Sequence, residues 1–198
     1  MSLTAGHPSV RPNTTAAEAE RKPRPERVNL RPCCGQTRIV WVVSKTLVLA
    51  PVAGRAVALE DVPDPVFSQG MVGYGAAVDP PHGVIEAVAP VSGKLLKLMP
   101  HAYIVMTPEN VGVLVHLGLD TVALKGEGFT THATQGDDVT AGQVIITYDV
   151  PAIEAKGLNP IVPVVVMDER EQGNIVPADA VAAGADIDSG ADLFTANK

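Results

Sequence analysis

The sequence predicts an all-β fold: an antiparallel sandwich or barrel-like domain with one short helix and flanking disordered tails. Three observations carry that expectation. Glycine and proline are frequent, 18 and 17 of 198 residues, and aromatic residues make up only 4%. The apolar residues fall in short runs separated by Gly, Pro and Asp, the pattern of strands and turns. No long stretch repeats at the helical period, and no apolar run reaches the ~18–20 residues that a membrane-spanning helix needs. The same composition excludes a coiled coil, a collagen and a disordered polyanion.

Residues 1–45 read as a disordered leader. They are rich in Pro, Arg, Thr and Glu, and they hold too little apolar surface to offset the entropy of ordering. They carry eight basic residues against three acidic ones, a net of +5. The remaining residues carry seven basic and 19 acidic ones, a net of −12. An acidic body does not bind nucleic acid, which needs clustered Lys and Arg, and it favours a basic protein partner. A secretory signal is outlined by apolar Ile39–Val43 and Leu47–Val52 ahead of Ala56-Val57-Ala58. It is disfavoured, because Ser44-Lys45 break the apolar region and the preceding charged stretch is long. Cys33 and Cys34 are adjacent and poorly placed for a disulfide. They read as tail thiols in a reducing cytoplasm.

Residues 46–168 form the expected domain. Strands are predicted over Thr46–Pro51, Arg55–Ala58, Met71–Val78, Gly83–Ala87, Gly93–Leu98, Ala102–Met106, Val111–Leu117, Thr121–Leu124, Gln143–Tyr148 and Ile161–Val166. Val111–Leu117 is apolar throughout and should be central, buried on both faces. One short helix is expected over Ala152–Lys156: Asp149 can cap it, Pro151 suits its first turn and Gly157 can end it. Ala50-Pro-Val-Ala-Gly-Arg55 returns as Ala89-Pro-Val-Ser-Gly-Lys94, 39 residues later. That is either a pair of related strand–turn–strand units or the recurrence of a common turn. After Val166 large apolar residues thin out, so residues 169–198 are expected to form a flexible acidic tail.

Chemistry concentrates on two histidines. His116 lies in Val113-Leu-Val-His-Leu-Gly-Leu-Asp120. Strand alternation puts Leu114, His116 and Gly118 on one face, with Asp120 two positions further along it. An imidazole in an apolar run needs a partner or a purpose. His101 opens the strand before it, and Pro108, Glu109 and Asn110 lie between the two, so a hairpin can bring both rings to one end. Zinc binding by two histidines lacks the third protein ligand of a catalytic site. Serine hydrolase chemistry lacks a Gly-x-Ser-x-Gly elbow. The third chemistry that competes with these two is nucleophilic attack by a neutral imidazole on phosphorus, with one ring nitrogen held by a hydrogen bond. A second histidine and backbone N–H groups beside Gly118 are candidate donors to the phosphoryl oxygens.

Val115-His-Leu-Gly-Leu-Asp-Thr-Val122 followed by Gly126-Glu-Gly-Phe129 closely resembles the phosphohistidine signature of the glucose-type enzyme IIA domain of the bacterial sugar phosphotransferase system. The likeness extends over His101-Ala-Tyr103, Met71-Val-Gly73 with Gly75, Ala89-Pro-Val-Ser-Gly93 and Gly136-Asp-Asp-Val-Thr-Ala-Gly142. It implies an antiparallel sandwich. It also implies that His116 accepts a phosphoryl group from HPr and passes it to a cysteine of an enzyme IIB domain in a IIBC sugar permease. His101 would stabilise that group, Gly118 and Asp120 would surround it, and Phe67, Met71, Val72 and Leu114 would form an apolar docking rim. No cofactor is implied beyond the phosphoryl group, although relatives hold zinc between both histidines and a partner's carboxylate. The alternative is a mainly regulatory module that inhibits permeases or kinases when unphosphorylated. A cytoplasmic location follows, with the membrane reached only through a partner. Three departures stand out. Gly73-Tyr74-Gly75 replaces Gly-Asp-Gly, and the segment from Gly93 to His101 is shorter than usual. Leu98-Met99-Pro100 stands where a Thr that bonds the second histidine is common. Backbone groups or Tyr103 would then support His101. Gly136–Gln143 also resembles a biotinyl or lipoyl hairpin, but no attachment lysine accompanies it.

Overall fold

A computed structural model describes residues 44–197. The leader and its two cysteines lie outside the described residues, except that Lys45 already opens the first strand. The chain forms β1 (Lys45–Leu49), β2 (Gly54–Ala58), α1 (Pro65–Ser68), β3 (Gly73–Asp79), β4 (Val84–Val88), β5 (Gly93–Met99), β6 (Ala102–Met106) and β7 (Gly112–His116). It continues through β8 (Phe129–Thr131), β9 (Asp138–Val139), β10 (Val144–Asp149), α2 (Val150–Glu154), β11 (Val162–Met167), β12 (Ile175–Pro177), α3 (Asp179–Ala183), β13 (Asp186–Ile187) and β14 (Asp192–Asn197). Every strand pair is antiparallel. An eight-stranded sheet runs in the order β13-β2-β3-β11-β7-β6-β5-β9, and two three-stranded sheets run β1-β14-β12 and β4-β10-β8.

The all-β expectation therefore holds. β7 is central, paired to both β6 and β11. Its alternation divides two cores. Val113, Val115 and Leu117 enter the larger one with Tyr103, Tyr148 and Phe194, while Leu114 enters a smaller one with Leu59, Val62, Phe67, Ile104 and Val165. Three short helices form among the described residues where one was expected, and the expected one, α2, lies at Val150–Glu154 rather than Ala152–Lys156 but is set by the signals read from the sequence. The Asp149 carboxylate accepts from the Ala152 N–H at 3.1 Å, Pro151 lies in the first turn, and Gly157 follows at φ +77°. α1 is built alike: Asp64 accepts from Val66 N–H at 2.7 Å and Pro65 opens the helix.

Two expectations are corrected. Thr121–Leu124 is a 3-10 turn, not a strand, because left-handed Asp120 (φ +58°) and Lys125 (φ +51°) curl the chain at both ends. The expected tail is folded. β14 pairs with β1 and β12, and Leu193, Phe194 and Ala196 are buried in the main core. Most of its few large apolar residues point inward (Ile175, Val181, Ile187, Leu193 and Phe194, with Val176 exposed), and their partner strand lies at the other end of the described chain.

That tail also resolves the repeat. Leu49 N–H donates to Pro90 carbonyl at 2.9 Å and Val88 N–H to Pro51 carbonyl at 2.8 Å, a reciprocal exchange between the two matched turns. Ala50 exchanges bonds with Gly190 and Ala191, as Ala89 does with Gly142 and Gln143. Ala56 N–H meets Ala185 carbonyl as Leu95 N–H meets Asp137 carbonyl. Residues 185–194 thus stand to β1 and β2 as residues 137–146 stand to β4 and β5. Two related strand–turn–strand units are interlocked, and the segment read as a tail completes one of them. The glycine opening each unit is steric: a Cβ on Gly54 would overlap the Asp79 carbonyl oxygen, and one on Gly93 the Met106 carbonyl oxygen.

Candidate functional site

The two histidines meet where the β6–β7 hairpin closes on the β5–β6 turn. Register pairs Ala102 with His116, and the Leu117 N–H donates to the His101 carbonyl at 2.7 Å. His101 does not open β6; it occupies the two-residue turn after β5, whose last residue Met99 pairs with Ala102. The ring centroids of His101 and His116 are 5.2 Å apart at 57°. Phe67, carried by α1, packs its ring 5.5 Å from His116 on another side.

The protonation of His116 follows from one bond. Its Nδ1 lies 2.7 Å from the Gly118 carbonyl oxygen. A carbonyl only accepts, so Nδ1 carries the hydrogen, and in the neutral ring Nε2 keeps its lone pair. Burial pushes the His116 pKa below the ordinary histidine value; the Gly118 carbonyl, Asp64 and Asp120 oppose that shift without reversing it. His101 is also pushed down, first by burial and then by the neighbouring His116 charge. Both rings are therefore neutral near pH 7, and His116 presents a nucleophilic nitrogen beside a second imidazole.

The loop after β7 shapes this edge. Gly118 sits at φ +76°, a left-handed conformation that a side chain disfavours. The buried Thr121 hydroxyl donates to the Leu117 carbonyl at 2.8 Å, closing the turn. The N–H groups flanking Gly118 are already engaged: that of Leu117 by His101, and that of Leu119 by the Asn159 carbonyl at 2.8 Å. They are therefore not free to serve as the phosphoryl donors the sequence suggested. Tyr103 does not support His101 either. It is buried in the larger core with its hydroxyl on the Val88 carbonyl at 2.6 Å.

The proposed rim divides by exposure. Met71 is 60% exposed and Val72 half-buried, whereas Phe67 (6%), carried by α1, and Leu114 (9%) are buried in the smaller core. Val66 and Val122, which sequence reasoning missed, are exposed beside Phe67 and Asp120 along the chain. Asp64 was missed too. The Asp-Pro helix start marks it, and its charge reaches His116. A cavity of about 760 Å³ opens between β2, α1 and α3, lined by Arg55, Leu59, Tyr74 and Val181, and neither histidine lines it. No group of three or more His, Cys, Asp or Glu side chains among the described residues could hold a metal ion. No helix among them is long and apolar enough to cross a membrane.

Residues 46–172 match the family model for the phosphoenolpyruvate-dependent sugar phosphotransferase system, EIIA 1. The chain is 43% identical over 140 residues to the glucose-specific EIIA component of Oceanobacillus iheyensis, covering 68% of this chain and 84% of that one. It is 40% identical over 134 residues to the mannose-specific EIIBCA component of Corynebacterium glutamicum, 67% of this chain and 20% of that longer protein. The solved glucose permease IIA of Mycoplasma capricolum superposes with a TM-score of 0.68 at 31% identity, over 79% of this chain and 99% of that one. Family model, relatives and fold agree with one another: the chain belongs to the EIIA 1 family of the phosphoenolpyruvate-dependent sugar phosphotransferase system.

Proposed function

We propose that this domain is a phosphoryl carrier that takes its group from HPr on Nε2 of His116 and passes it to a cysteine of an enzyme IIB domain. The observation that carries the reading is the 2.7 Å bond from Nδ1 to Gly118, which leaves Nε2 unprotonated at a half-buried edge. In the first step the Nε2 lone pair attacks phosphorus, and the bond from phosphorus to the donor imidazole breaks, its electron pair returning to that ring. In the second a cysteine thiolate attacks, and the electron pair returns to His116. Little covalent work is asked of the protein; positioning and charge stabilisation dominate. His101, beside His116, stabilises the phosphoryl oxygens. Asp120 and Asp64 face a basic partner, and Met71 and Val72 give it an apolar edge, while Phe67 and Leu114 are buried.

The IIB partnership is supported by relatives in which an A domain is named within one chain together with B and C domains. Reconstitution with enzyme I, HPr and phosphoenolpyruvate tests the reading. His116→Ala should take no label. His101→Ala should still accept phosphate but pass it to enzyme IIB poorly. Normal labelling of the His116→Ala protein would remove the assignment.

A further inference from the structure

The Gly118 loop is closed from within by Thr121, and it also lies against a neighbouring turn. A Cβ on Gly118 would meet Thr121 Cγ2 at 2.7 Å, the Asn159 carbonyl oxygen at 3.1 Å and the Tyr148 hydroxyl oxygen at 3.3 Å, so the loop bearing the His116 acceptor passes close to both Asn159 and Tyr148. That Asn159 carbonyl accepts the Leu119 N–H at 2.8 Å, one residue beyond Gly118. The next carbonyl, that of Pro160, accepts the Tyr148 hydroxyl at 2.7 Å. Tyr148 is fully buried, and its ring stacks on Phe129 with centroids 5.5 Å apart and planes 5° from parallel. Register pairs the same two residues across β8 and β10. Burial, with Glu154 and Asp79 adding to it, pushes the Tyr148 pKa far up, so its hydroxyl stays a donor throughout the working range. The Asn159 side chain sets the same turn from within, accepting the Ile161 N–H at 2.9 Å.

We propose that Tyr148, stacked on Phe129, is a positioning residue for His116: its hydroxyl holds the Asn159–Pro160 turn against the Gly118 loop and so fixes which ring nitrogen of His116 carries the hydrogen. The inference rests on His116 as phosphoryl acceptor, and it gives Phe129 of the Gly-Glu-Gly-Phe segment a task at a distance from the phosphate. Without the hydroxyl, the 159–160 turn loses its anchor and the Gly118 carbonyl loses its fixed aim. The neutral ring can then place its hydrogen on Nε2, where it blocks attack. Precise placement matters, because small displacements of a reacting group cost large factors in rate.

The experiment is nitrogen-15 NMR of the neutral His116 ring in the full chain, with no phosphoryl donor present, beside initial rates of phosphorylation by HPr. The unaltered protein should show Nδ1–H almost alone. Tyr148→Phe, which keeps the ring stack and removes the hydroxyl, should show a mixture of tautomers and a rate lower by about tenfold. Phe129→Leu, which keeps the hydroxyl and removes the stack, should move both readouts the same way by less. Ile145→Val, a buried change on the same strand, supplies generic destabilisation and should leave the tautomer alone. An unchanged tautomer in folded Tyr148→Phe overturns the proposal, as does an equal shift in Ile145→Val. If Tyr148→Phe does not fold, Phe129→Leu decides by the same criterion. Because the tautomer is read without phosphate, it stands or falls separately from the labelling of His116→Ala.

Discussion

At the scale of single residues, the site depends on keeping an imidazole neutral where it is needed. The folded pKa values of His116 and His101 lie below the ordinary histidine value of 6.5. Between the lowered and the ordinary values the unfolded chain binds more protons than the folded one. Stability from these groups is therefore complete above about pH 6.5 and is lost as pH falls toward the lowered values. Acceptance of phosphate should follow the same direction, with the midpoint of its decline on acidification below the ordinary histidine value of about 6.5. A midpoint at or above about pH 6.5 would contradict the shift. Since His116 is the second cause of the His101 shift, His116→Ala should move the His101 titration part of the way back up, as NMR can follow. Gly118→Ala should be worse than its size suggests. The new methyl meets Thr121 Cγ2 at 2.7 Å and must adopt φ +76°. A loss of about 1–3 kcal/mol is expected, on the order of a strained backbone site, with slower phosphorylation.

At the scale of elements, legibility followed distance along the chain. α2 could be read because its cap, proline and terminal glycine are contiguous signals. β7 could be read because its alternation names both cores it divides. The hairpin joining His101 to His116 was legible from the turn residues between them, and the ring-to-ring approach followed. What could not be read required a partner far away. Residues 169–198 hold few large apolar residues, and only their pairing with β1, more than 140 positions earlier, makes Leu193 and Phe194 core residues. Their kinship to residues 137–146 shows in hydrogen bonds more plainly than in residue identity, because turns of this kind constrain glycine positions and little else. The support of His101 was misread for a related reason. Tyr103 is two residues away, but the β5–β6 turn sets it into the opposite core. The folded ending has a direct consequence. Phe194→Ala should cost ~3–5 kcal/mol, the usual range for a buried aromatic, measured by urea unfolding. That is a large share of the ~5–15 kcal/mol that holds a domain together. A flexible tail would show no change.

At the scale of the whole molecule, the formal charge of −7 averages two unlike parts, and the acidic one, −12 over residues 46–198, carries His101 and His116. Two carboxylates matter most. Asp64 and Asp120 are near enough to His116 to raise its pKa against the effect of burial, so they also shape the field that an approaching partner meets. A basic partner carrying a phosphoryl group would be steered by that field, and steering acts on association more than on the chemical step. The expected signature is a second-order rate of phosphorylation by HPr that falls as salt rises from ~50 to ~300 mM, because the screening length near 0.1 M is only about 10 Å. Asp64→Asn keeps an acceptor able to cap α1, and Asp120→Asn keeps a side chain tolerated at positive φ. Each removes charge with little change of structure. Both should lower the rate several-fold at low salt and converge on the unaltered protein at high salt. Asp138→Asn, on the far edge strand β9, should have a smaller effect. Equal losses from all three substitutions would mean that net charge alone sets the rate, and a salt-independent rate would mean that the acidic body plays no part in partner encounter.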